Sequence, residues 1–303
     1  MTPERQTGFI QKSQGGFYQV VTPQGVLTCR GRGLFRKTDT VLVVGDRVGV
    51  APTGTPGEGV IVDLEPRKNH LIRPPVANLD RLALVASAAQ PAPNLLVLDK
   101  LAALAASRDI PVVLVFTKMD LGPVDRYLED YRQAGFDAYG VNNLTGEGTR
   151  EVGEAFSRGI TAFCGNSGAG KSSLLNALFP NLELATGGIS KKLGRGRHTT
   201  RHVELFPVGE GYIADTPGFS AVEFLRFGRM LASDLAPCFQ EFRPYLDRCR
   251  FVGCSHRTEP GCAVLEAVGA GEIPKSRHQS YLAIYEELKD VKEWELNKQE
   301  QGR

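Results

Sequence analysis

Between residues 80 and 165 the chain alternates short apolar runs with amphipathic segments. The runs are apolar at nearly every position and predict strands at residues 80–88, 110–116, 137–141 and 159–164. The segments between them carry apolar residues at helical spacing and predict helices at residues 94–107, 124–134 and 149–158. Strands that are apolar on both faces and alternate with helices are typical of a covered parallel sheet. The pattern therefore predicts a doubly wound α/β domain.

Residues 1–70 show a different pattern, in which short runs of β-branched and aromatic residues are separated by Gly, Pro and Asp. The runs recur every 8 to 12 residues or so, which is typical of small barrels. They lie at residues 16–21, 25–30, 46–50 and 58–64. This pattern predicts an N-terminal β-barrel of the OB or SH3 type.

The predicted barrel carries one local cluster of positive charge, with an aromatic residue inside it: Arg30, Arg32, Phe35, Arg36 and Lys37. Basic side chains neutralise phosphates, and an exposed aromatic ring can stack on a base. The cluster is therefore compatible with an RNA-binding surface. A solvated hairpin with Phe35 in the barrel core explains the same residues equally well.

Composition limits the possible classes of protein. The 303 residues are 42% hydrophobic, with 36 basic against 34 acidic residues, so a large core is expected and total charge indicates no partner. No apolar run of about 18 residues occurs, and residues 1–8 lack an apolar signal core, so we predict a cytoplasmic protein without a membrane span. A polar, proline-rich segment at residues 66–75 predicts a domain boundary. We expect domains at residues 1–70, 71–225 and 226–303.

A glycine-rich loop follows the fourth apolar run and precedes an amphipathic helix. It reads Gly165, Asn166, Ser167, Gly168, Ala169, Gly170, Lys171, Ser172. In such a Walker A loop, backbone N–H groups and the helix N-terminus surround a phosphate. Lys171 would reach the β- and γ-phosphates, and the Ser172 hydroxyl would ligate Mg²⁺. The flanking strand and helix favour this interpretation over a strand–helix turn that carries Lys-Ser by chance.

A second motif, Thr117-Lys118-Met119-Asp120, ends the second of the predicted parallel strands. Ligands of such sheets bind at the carboxyl ends of strands. The Asp120 carboxylate can accept from the ring N–H and the exocyclic amine of guanine, whereas adenine offers no such pair of donors. The Lys118 stem would pack along the base. Together with the phosphate loop, the motif predicts a guanine nucleotide site.

Two further segments follow the phosphate loop. A strand ends in Asp215-Thr216-Pro217-Gly218, in which Asp215 would hold Mg²⁺ through water and the Gly218 amide would face the γ-phosphate. Residues 186–202 are glycine-rich and basic, and predict a loop in which Thr199 or Thr200 closes over Mg²⁺. That loop is either solvated or a contact for RNA phosphates.

The order of the motifs is unusual, because Asp120 precedes Gly165 whereas an ordinary GTPase places its phosphate loop first. A circular permutation is the simplest explanation, and parallel-sheet domains with adjacent termini tolerate one. The chain break then falls after the Asp215–Gly218 loop. That nucleotide-sensing loop leads directly into the C-terminal segment.

The C-terminal segment has the spacing C-x₄-C-x-H-x₅-C, formed by Cys249, Cys254, His256 and Cys262. Three thiolates and an imidazole complete a closed tetrahedral shell, so the pattern predicts one structural Zn²⁺, with buried thiols as the alternative. Cys29, Cys164 and Cys238 lie in apolar settings and are expected in the core. Residues 231–248 and 276–297 are expected to be helical.

These motifs together resemble one family, the circularly permuted GTPases that depend on the small ribosomal subunit, often called RsgA. The resemblance covers nearly the whole chain and implies a bacterial cytoplasmic protein that acts late in small-subunit maturation, contacts 16S rRNA, and works as a monomer. It implies GTP and GDP as ligands, Mg²⁺ beside Ser172 and Thr200, and one Zn²⁺. The matching motifs also imply roles for residues. Guanine would be bound by Thr117, Lys118 and Asp120, and the phosphates and Mg²⁺ by Gly165 to Ser173, which includes Lys171. The two switches would be Thr199 with Thr200 and Asp215 to Gly218, and zinc would be bound by Cys249, Cys254, His256 and Cys262.

The chain departs from that family at two places. Thr117 stands where the family commonly has Asn, and Asn142-Asn143 where it has a Ser-Ala pair. The first change removes an amide that ties loops together, so weaker nucleotide affinity is expected, while specificity should persist through Asp120.

Phe219 follows the second switch where Ras-like enzymes place a water-orienting Gln, so hydrolysis by the isolated protein is expected to be slow. We predict that His198 positions the water once RNA is bound, with a merely exposed His198 as the alternative. We therefore expect a ribosome-stimulated GTPase that checks small-subunit maturation and leaves after hydrolysis. A P-loop enzyme acting on a small molecule, and a nucleotide-switched RNA-binding module without hydrolysis, are the competing classes.

Overall fold

A computed structural model describes residues 5–38, 40–72, 75–180, 203–215 and 230–292. The chain divides into two compact units, between which it passes several times. The first unit comprises Met1–Arg81, Glu154–Phe163 and Gly187–Phe219. The second comprises Leu82–Gly153, Cys164–Thr186 and Ser220–Arg303. The three domain boundaries expected from the sequence remain predictions.

The N-terminal part of the first unit is a closed five-stranded barrel. Its strands are β1 (Gln6–Gln14), β2 (Phe17–Thr22), β3 (Gly25–Gly31), β4 (Arg47–Pro52) and β5 (Glu58–Leu64), with a short helix α1 (Gly33–Lys37) after β3. Neighbouring strands pair in the ring β1-β2-β3-β5-β4-β1, and only β3 and β5 are parallel among these pairs. This ring is the OB-like arrangement, so the barrel prediction is confirmed.

The core of the barrel consists of alternate residues on its strands. Ile10, Val20, Cys29, Val48 and Ile61 have no solvent-exposed surface. Strand β1 was missed in the sequence because most of its residues are polar or glycine. Its pairing with β2 and β4, and not its local propensity, makes it a strand.

The segment predicted as a linker packs against the barrel in its described part. The Arg67 guanidinium donates to the buried Asp46 carboxylate at 2.6 Å, and Asn78 Nδ2 donates to the Gly45 carbonyl at 2.9 Å. A two-stranded antiparallel pair, β6 (His70–Leu71) and β7 (Val76–Ala77), lies within this segment. Arg67, one of the polar residues that indicated a linker, therefore holds the segment against the barrel.

Two later strands extend the barrel strands of the first unit. Strand β13 (Glu210–Asp215) pairs in parallel with β11 (Arg158–Gly165) and antiparallel with β12 (Glu204–Val208). Strand β12 pairs with β1 where Lys12 faces Glu204, and their side chains form an ion pair at 2.6 Å. The strands that lead into the phosphate loop and into Asp215 are therefore continuous with the barrel.

The second unit contains the rest of the predicted α/β pattern. Strands β8 (Arg81–Ser87), β9 (Val112–Thr117) and β10 (Asp137–Val141) pair in parallel in that order. The connecting helices are α2 (Leu95–Ala106), α3 (Asp125–Gln133) and α4 (Thr149–Phe156), and α5 (Lys171–Leu178) follows the phosphate loop. The predicted strands and helices are confirmed to within a few residues.

The C-terminal part of the second unit is helical but less regular than expected. Residues 231–248 form a 3₁₀ turn (Ala232–Asp234), a short helix α6 (Leu235–Cys238) and a 3₁₀ helix (Gln240–Arg248), so the expected helical stretch is present but divided into three pieces. Pro244 lies inside the last of these and has no N–H to donate. Helices α7 (Ala263–Ala270) and α8 (Lys275–Leu288) follow. No helix among the described residues is long and apolar enough to span a bilayer.

One buried charge joins the C-terminal part to the α/β part of the second unit. Arg277 on α8 is 2% exposed and forms ion pairs with Asp99 on α2 and, at 2.6 Å, with Glu241. Tyr131 on α3 donates its hydroxyl to Asp99 at 2.7 Å. Burial opposes the charge of Arg277, but the two carboxylates more than offset it and raise the pKa of the guanidinium.

Replacing Arg277 by Ala should leave Asp99 and Glu241 buried without a cation. Because an uncompensated buried charge is costly, we expect the free energy of unfolding to fall by about 3–5 kcal/mol. Urea unfolding followed by circular dichroism would measure the change. Lys100→Ala is the matched control, since Lys100 also joins α2 to α8 but pairs with the exposed Glu287 at 2.6 Å. That control should lose less than about 1 kcal/mol, and equal losses in the two variants would contradict this account.

Candidate functional site

The phosphate loop connects the end of β11 to the start of α5. Gly168 and Gly170 both have φ of +79°, a conformation that favours glycine. A side chain at position 165 would lie 2.5 Å from the Val85 carbonyl oxygen, so that position also requires glycine. Gly170 is the N-cap of α5 and offers no side-chain acceptor to the first turn. The first backbone N–H groups of α5 therefore suit an anion such as a phosphate.

The functional side chains of this loop lie at its exposed end and at the helix start. Asn166, Ser167 and Gly168 are exposed, whereas Ala169 is buried. Lys171 and Ser172, the first two residues of α5, are partly buried, and Ser173 is exposed. The hard oxygen of Ser172 is a ligand type that Mg²⁺ accepts, so the residue fits the expected metal.

The guanine motif lies beside the phosphate loop. Thr117, at the end of β9, is fully buried, and its hydroxyl donates to the Ala169 carbonyl at 2.6 Å. This hydrogen bond joins residues that are 52 positions apart. Lys118 has φ of +58°, and its ammonium group donates to the Gln90 carbonyl at 2.6 Å. Asp120 is exposed, as a carboxylate that receives a ligand must be.

The loop after β10 approaches the same place. Asn142 Oδ1 accepts from the backbone N–H groups of Leu144 and Thr145 at 2.9 and 3.2 Å, and so shapes the turn. Asn143 Nδ2 donates to the Gly170 carbonyl at 3.4 Å. Sequence reasoning treated this pair as a departure from a family pattern and missed its contact with the phosphate loop. The position of the pair, at the carboxyl end of a parallel strand, was the available signal.

A small cavity borders the phosphate loop. Its walls include Ser87, Pro91, Asn94, Asn166 and Ala169, and the described residues that line it are all uncharged.

The two predicted switches fall on residues that the structure does not describe. His198, Thr199, Thr200, Gly218 and Phe219 lie outside the described residues. Asp215 is the last residue of β13, and its side chain is also outside the described part. Their roles remain predictions.

On the barrel, Arg30 and Arg32 are exposed, and the Arg30 guanidinium lies 4.4 Å from the centre of the Phe17 ring. Phe17 is 42% exposed, whereas Phe35 is partly buried. The side chains of Arg36 and Lys37, on α1, are outside the described part. The exposed aromatic residue next to a basic one is thus Phe17, which the sequence did not single out.

A candidate metal centre lies in the C-terminal part of the second unit. The ligand atoms of Cys249, Cys254, His256 and Cys262 all lie within 4.8 Å of one another. His256 Nδ1 is 3.6 Å from Cys249 Sγ and 3.4 Å from Cys262 Sγ, and these two sulfurs are 3.9 Å apart. Zinc–ligand bonds of about 2.0–2.3 Å give a tetrahedron with edges of roughly 3.3–3.8 Å. The residues therefore fit one tetrahedral Zn²⁺.

Side chains around the candidate metal centre hold its loop in shape. The Glu259 carboxylate accepts from the backbone N–H groups of Ser255 and Arg257, each at 2.9 Å. From α8, Tyr281 donates its hydroxyl to the Ser255 carbonyl at 2.8 Å, and His278 Nε2 lies 2.9 Å from the His256 carbonyl oxygen. The sequence did not identify these supporting residues, because their partners are backbone atoms. Such support orients the ligating residues toward a bound metal.

The charge state of His256 also suits a metal. Burial lowers the pKa of His256, which keeps the imidazole neutral, the form that ligates. Outside the cluster, burial raises the pKa of Cys29 and Cys238 to about 11 and that of Cys164 to about 12. These three thiols are buried, as expected of core residues, and remain protonated at neutral pH.

Comparison with known proteins identifies the family. Residues 64–225 match the RsgA GTPase family model, and residues 7–61 match the RsgA N-terminal domain model. The chain belongs to the RsgA GTPase family. Its membership makes it a GTP hydrolase and implies a guanine nucleotide as its ligand.

Relatives cover almost the whole chain. The small ribosomal subunit biogenesis GTPase RsgA of Geobacillus kaustophilus is 44% identical over 291 residues, which is 94% of this chain and 98% of that protein. The protein of the same name from Moorella thermoacetica is 44% identical over 284 residues, 93% of this chain and 97% of that one.

Two solved structures are similar along nearly their full length. YloQ, described as a circularly permuted GTPase, has a TM-score of 0.79 at 35% identity and covers 96% of this chain and 97% of its own. YjeQ from Thermotoga maritima has a TM-score of 0.79 at 32% identity, with 95% of this chain and 100% of that chain covered. The fold prediction is confirmed: an N-terminal barrel, a circularly permuted GTPase domain and a C-terminal helical region with a possible zinc cluster.

Proposed function

We propose that this GTPase acts in the late maturation of the small ribosomal subunit, where contact with 16S rRNA stimulates hydrolysis of GTP to GDP and phosphate, and hydrolysis releases the protein. The printed name of its relatives, small ribosomal subunit biogenesis GTPase, supports the partner. The observation that carries the nucleotide assignment is the hydrogen bond from Thr117 to the Ala169 carbonyl, which joins the guanine and phosphate motifs. We further propose a cytoplasmic monomer.

Within this proposal, each motif has one task. Asp120 accepts the guanine N–H groups, and the Lys118 stem packs along the base. The loop from Gly165 to Ser173 surrounds the phosphates, and Lys171 neutralises charge on the β- and γ-phosphates. Mg²⁺, when bound, neutralises the developing phosphate charge, and we assign Ser172, Thr200 and Asp215 to hold it.

The switches would convert nucleotide state into affinity for the subunit. Thr199, Thr200 and the Asp215–Gly218 loop would sense the γ-phosphate, and His198 would position the attacking water after RNA contact. A ligand shifts such an equilibrium only by its differential affinity for the two states. The GTP state must therefore bind the subunit more tightly than the GDP state.

The barrel and the metal centre would supply the RNA-facing and structural parts. Exposed Arg30, Arg32 and Phe17 combine positive charge with an aromatic ring, which suits phosphate contact and base stacking. The Cys/His cluster has no open coordination position for a substrate, so its Zn²⁺ would be structural.

Steady-state hydrolysis of GTP and ATP, with and without purified small subunits, tests the proposal. We expect stimulation by roughly 10²-fold, confined to GTP and to the small subunit, because a positioned proton-transfer group contributes about that much. Large subunits and Lys171→Ala are the controls, and neither should show stimulation. Equal rates with and without small subunits would contradict the ribosomal partner, and binding without any turnover would favour a nucleotide-switched RNA-binding module.

A further inference from the structure

The two departures from the family pattern, Thr117 and the Asn142-Asn143 pair, meet at two consecutive peptides of the phosphate loop, one on each side of Gly170. Thr117 Oγ1 donates to the Ala169 carbonyl at 2.6 Å, and Asn143 Nδ2 donates to the next carbonyl in the chain, that of Gly170, at 3.4 Å. A hydroxyl has a single proton, so Thr117 can hold only one of the two carbonyls. The second carbonyl is reached by an amide from the neighbouring loop.

Both side chains pack against Gly170. A side chain at position 170 would lie 3.0 Å from Thr117 Oγ1 and 3.3 Å from Asn143 Nδ2. The Gly170 carbonyl also accepts from the Leu174 N–H at 2.8 Å, the first helical hydrogen bond of α5. Asn143 therefore acts on the peptide from which Lys171 begins the helix, and Thr117 acts on the peptide before it.

The orientation of the Asn143 amide follows from its partner. The Gly170 carbonyl can only accept, so the NH₂ group must face it, and Oδ1 points elsewhere. Asn143 Oδ1 is buried and has no hydrogen-bond partner among the described residues. Such a buried acceptor needs an explanation. Either the hydrogen bond from Nδ2 to the Gly170 carbonyl keeps Oδ1 in this position, or a bound ligand donates a hydrogen bond to it.

We propose that Thr117 and Asn143 form a clamp on the two peptides that flank Gly170, in which Thr117 holds the Ala169 carbonyl and Asn143 supplies an amide to the Gly170 carbonyl. Asn143 is thus a positioning residue for guanine nucleotide binding, since it acts through the phosphate loop. The clamp rests on the proposed nucleotide site. It also removes the reason to expect weak affinity from Thr117, because the lost amide returns from a different loop.

A double substitution tests the clamp with fluorescently labelled GDP. Asn143→Ala should weaken GDP binding about fivefold to tenfold, the effect of one hydrogen bond, and mainly through faster dissociation. Thr117→Asn in the unchanged chain should give no gain, because Asn143 already donates to the Gly170 carbonyl that the second N–H of the new amide would reach. Thr117→Asn combined with Asn143→Ala should restore the dissociation constant to within about threefold of the unchanged chain. A merely structural role of Asn143 would not be rescued in this way.

The matched control is Asn78→Ala, which removes an asparagine with two hydrogen bonds in the first unit. It should lower stability without changing GDP affinity. Asn143→Ala with unchanged GDP affinity, or a double variant as weak as Asn143→Ala alone, would overturn the clamp while the proposed function stands. Absence of GDP binding by the unchanged chain would overturn the nucleotide site, and the clamp with it.

Discussion

Asp120→Asn is expected to exchange guanine for xanthine specificity. The carboxylate can accept from both N–H donors of guanine, whereas an amide presents its own NH₂ group to them and leaves a donor unpaired. Sites that leave a polar group unpaired with the wrong ligand discriminate by roughly 10⁴-fold, so we expect a loss of GDP affinity of that order. Xanthine carries a carbonyl where guanine carries its amine, so the new NH₂ group should favour XDP. Competition binding with GDP and XDP measures both changes.

The control for this prediction is Asp125→Asn. Asp125 is exposed, lies in the first turn of α3, and undergoes the same chemical change five residues further along the chain. It should bind GDP and XDP as the unchanged chain does. If Asp120→Asn also leaves the two affinities unchanged, the guanine assignment of Asp120 is wrong, even though the chain would remain a GTPase by family.

Removal of one cluster ligand by Cys262→Ala should abolish stoichiometric zinc binding and unfold the loop from Cys249 to Cys262. The loop lacks an apolar core of its own, and Phe251 and Val252 within it are exposed. Structural zinc binding is worth on the order of 10 kcal/mol in small domains, so little remains to hold the loop without it. Metal analysis by mass spectrometry and the unfolding midpoint in urea would measure the change. We expect one zinc per unchanged chain and a lower midpoint in the variant.

Cys29→Ala provides the comparison for the cluster variant. Its thiol is buried in the barrel, so the variant should lose some barrel stability but retain one zinc per chain. Two results together would contradict a structural zinc. They are an unchanged chain that is purified without metal, and an unfolding midpoint that is the same for Cys262→Ala and the unchanged chain. The buried-thiol interpretation would then be favoured.

The hydrogen bonds to α8 extend the effect of zinc beyond its loop. Tyr281 and His278 contact carbonyls of Ser255 and His256, and Arg277 on the same helix anchors to Asp99 on α2. Within the second unit, the candidate metal centre is therefore linked to the helices around the guanine motif by a continuous set of polar contacts. Chelation of zinc should consequently lower the unfolding midpoint of the second unit as a whole, and not only alter its C-terminal part.

The sequence alone was sufficient to predict the sites that are formed by short sequence motifs. Glycine positions, the Lys-Ser pair after them, the Thr117–Asp120 motif and the Cys/His spacing are contiguous in sequence, so their residue types indicate function without a fold. The alternation of apolar strands with helices likewise reports burial on both faces of a parallel sheet. These features were sufficient to predict the barrel, the permuted GTPase domain and the possible zinc cluster.

Tertiary structure alone decided the features that depend on partners distant in sequence. Strand β1 has a polar sequence and exists because β2 and β4 pair with it. In the sequence, Asn143 is only a departure from the family pattern, whereas in the structure its amide donates to the Gly170 carbonyl. Likewise, the sequence shows Arg277 only as a charged residue on a predicted helix, whereas in the structure it pairs with the buried carboxylates of Asp99 and Glu241. Residue types determine what a side chain can donate, accept or bury, but long-range packing decides which partner it meets.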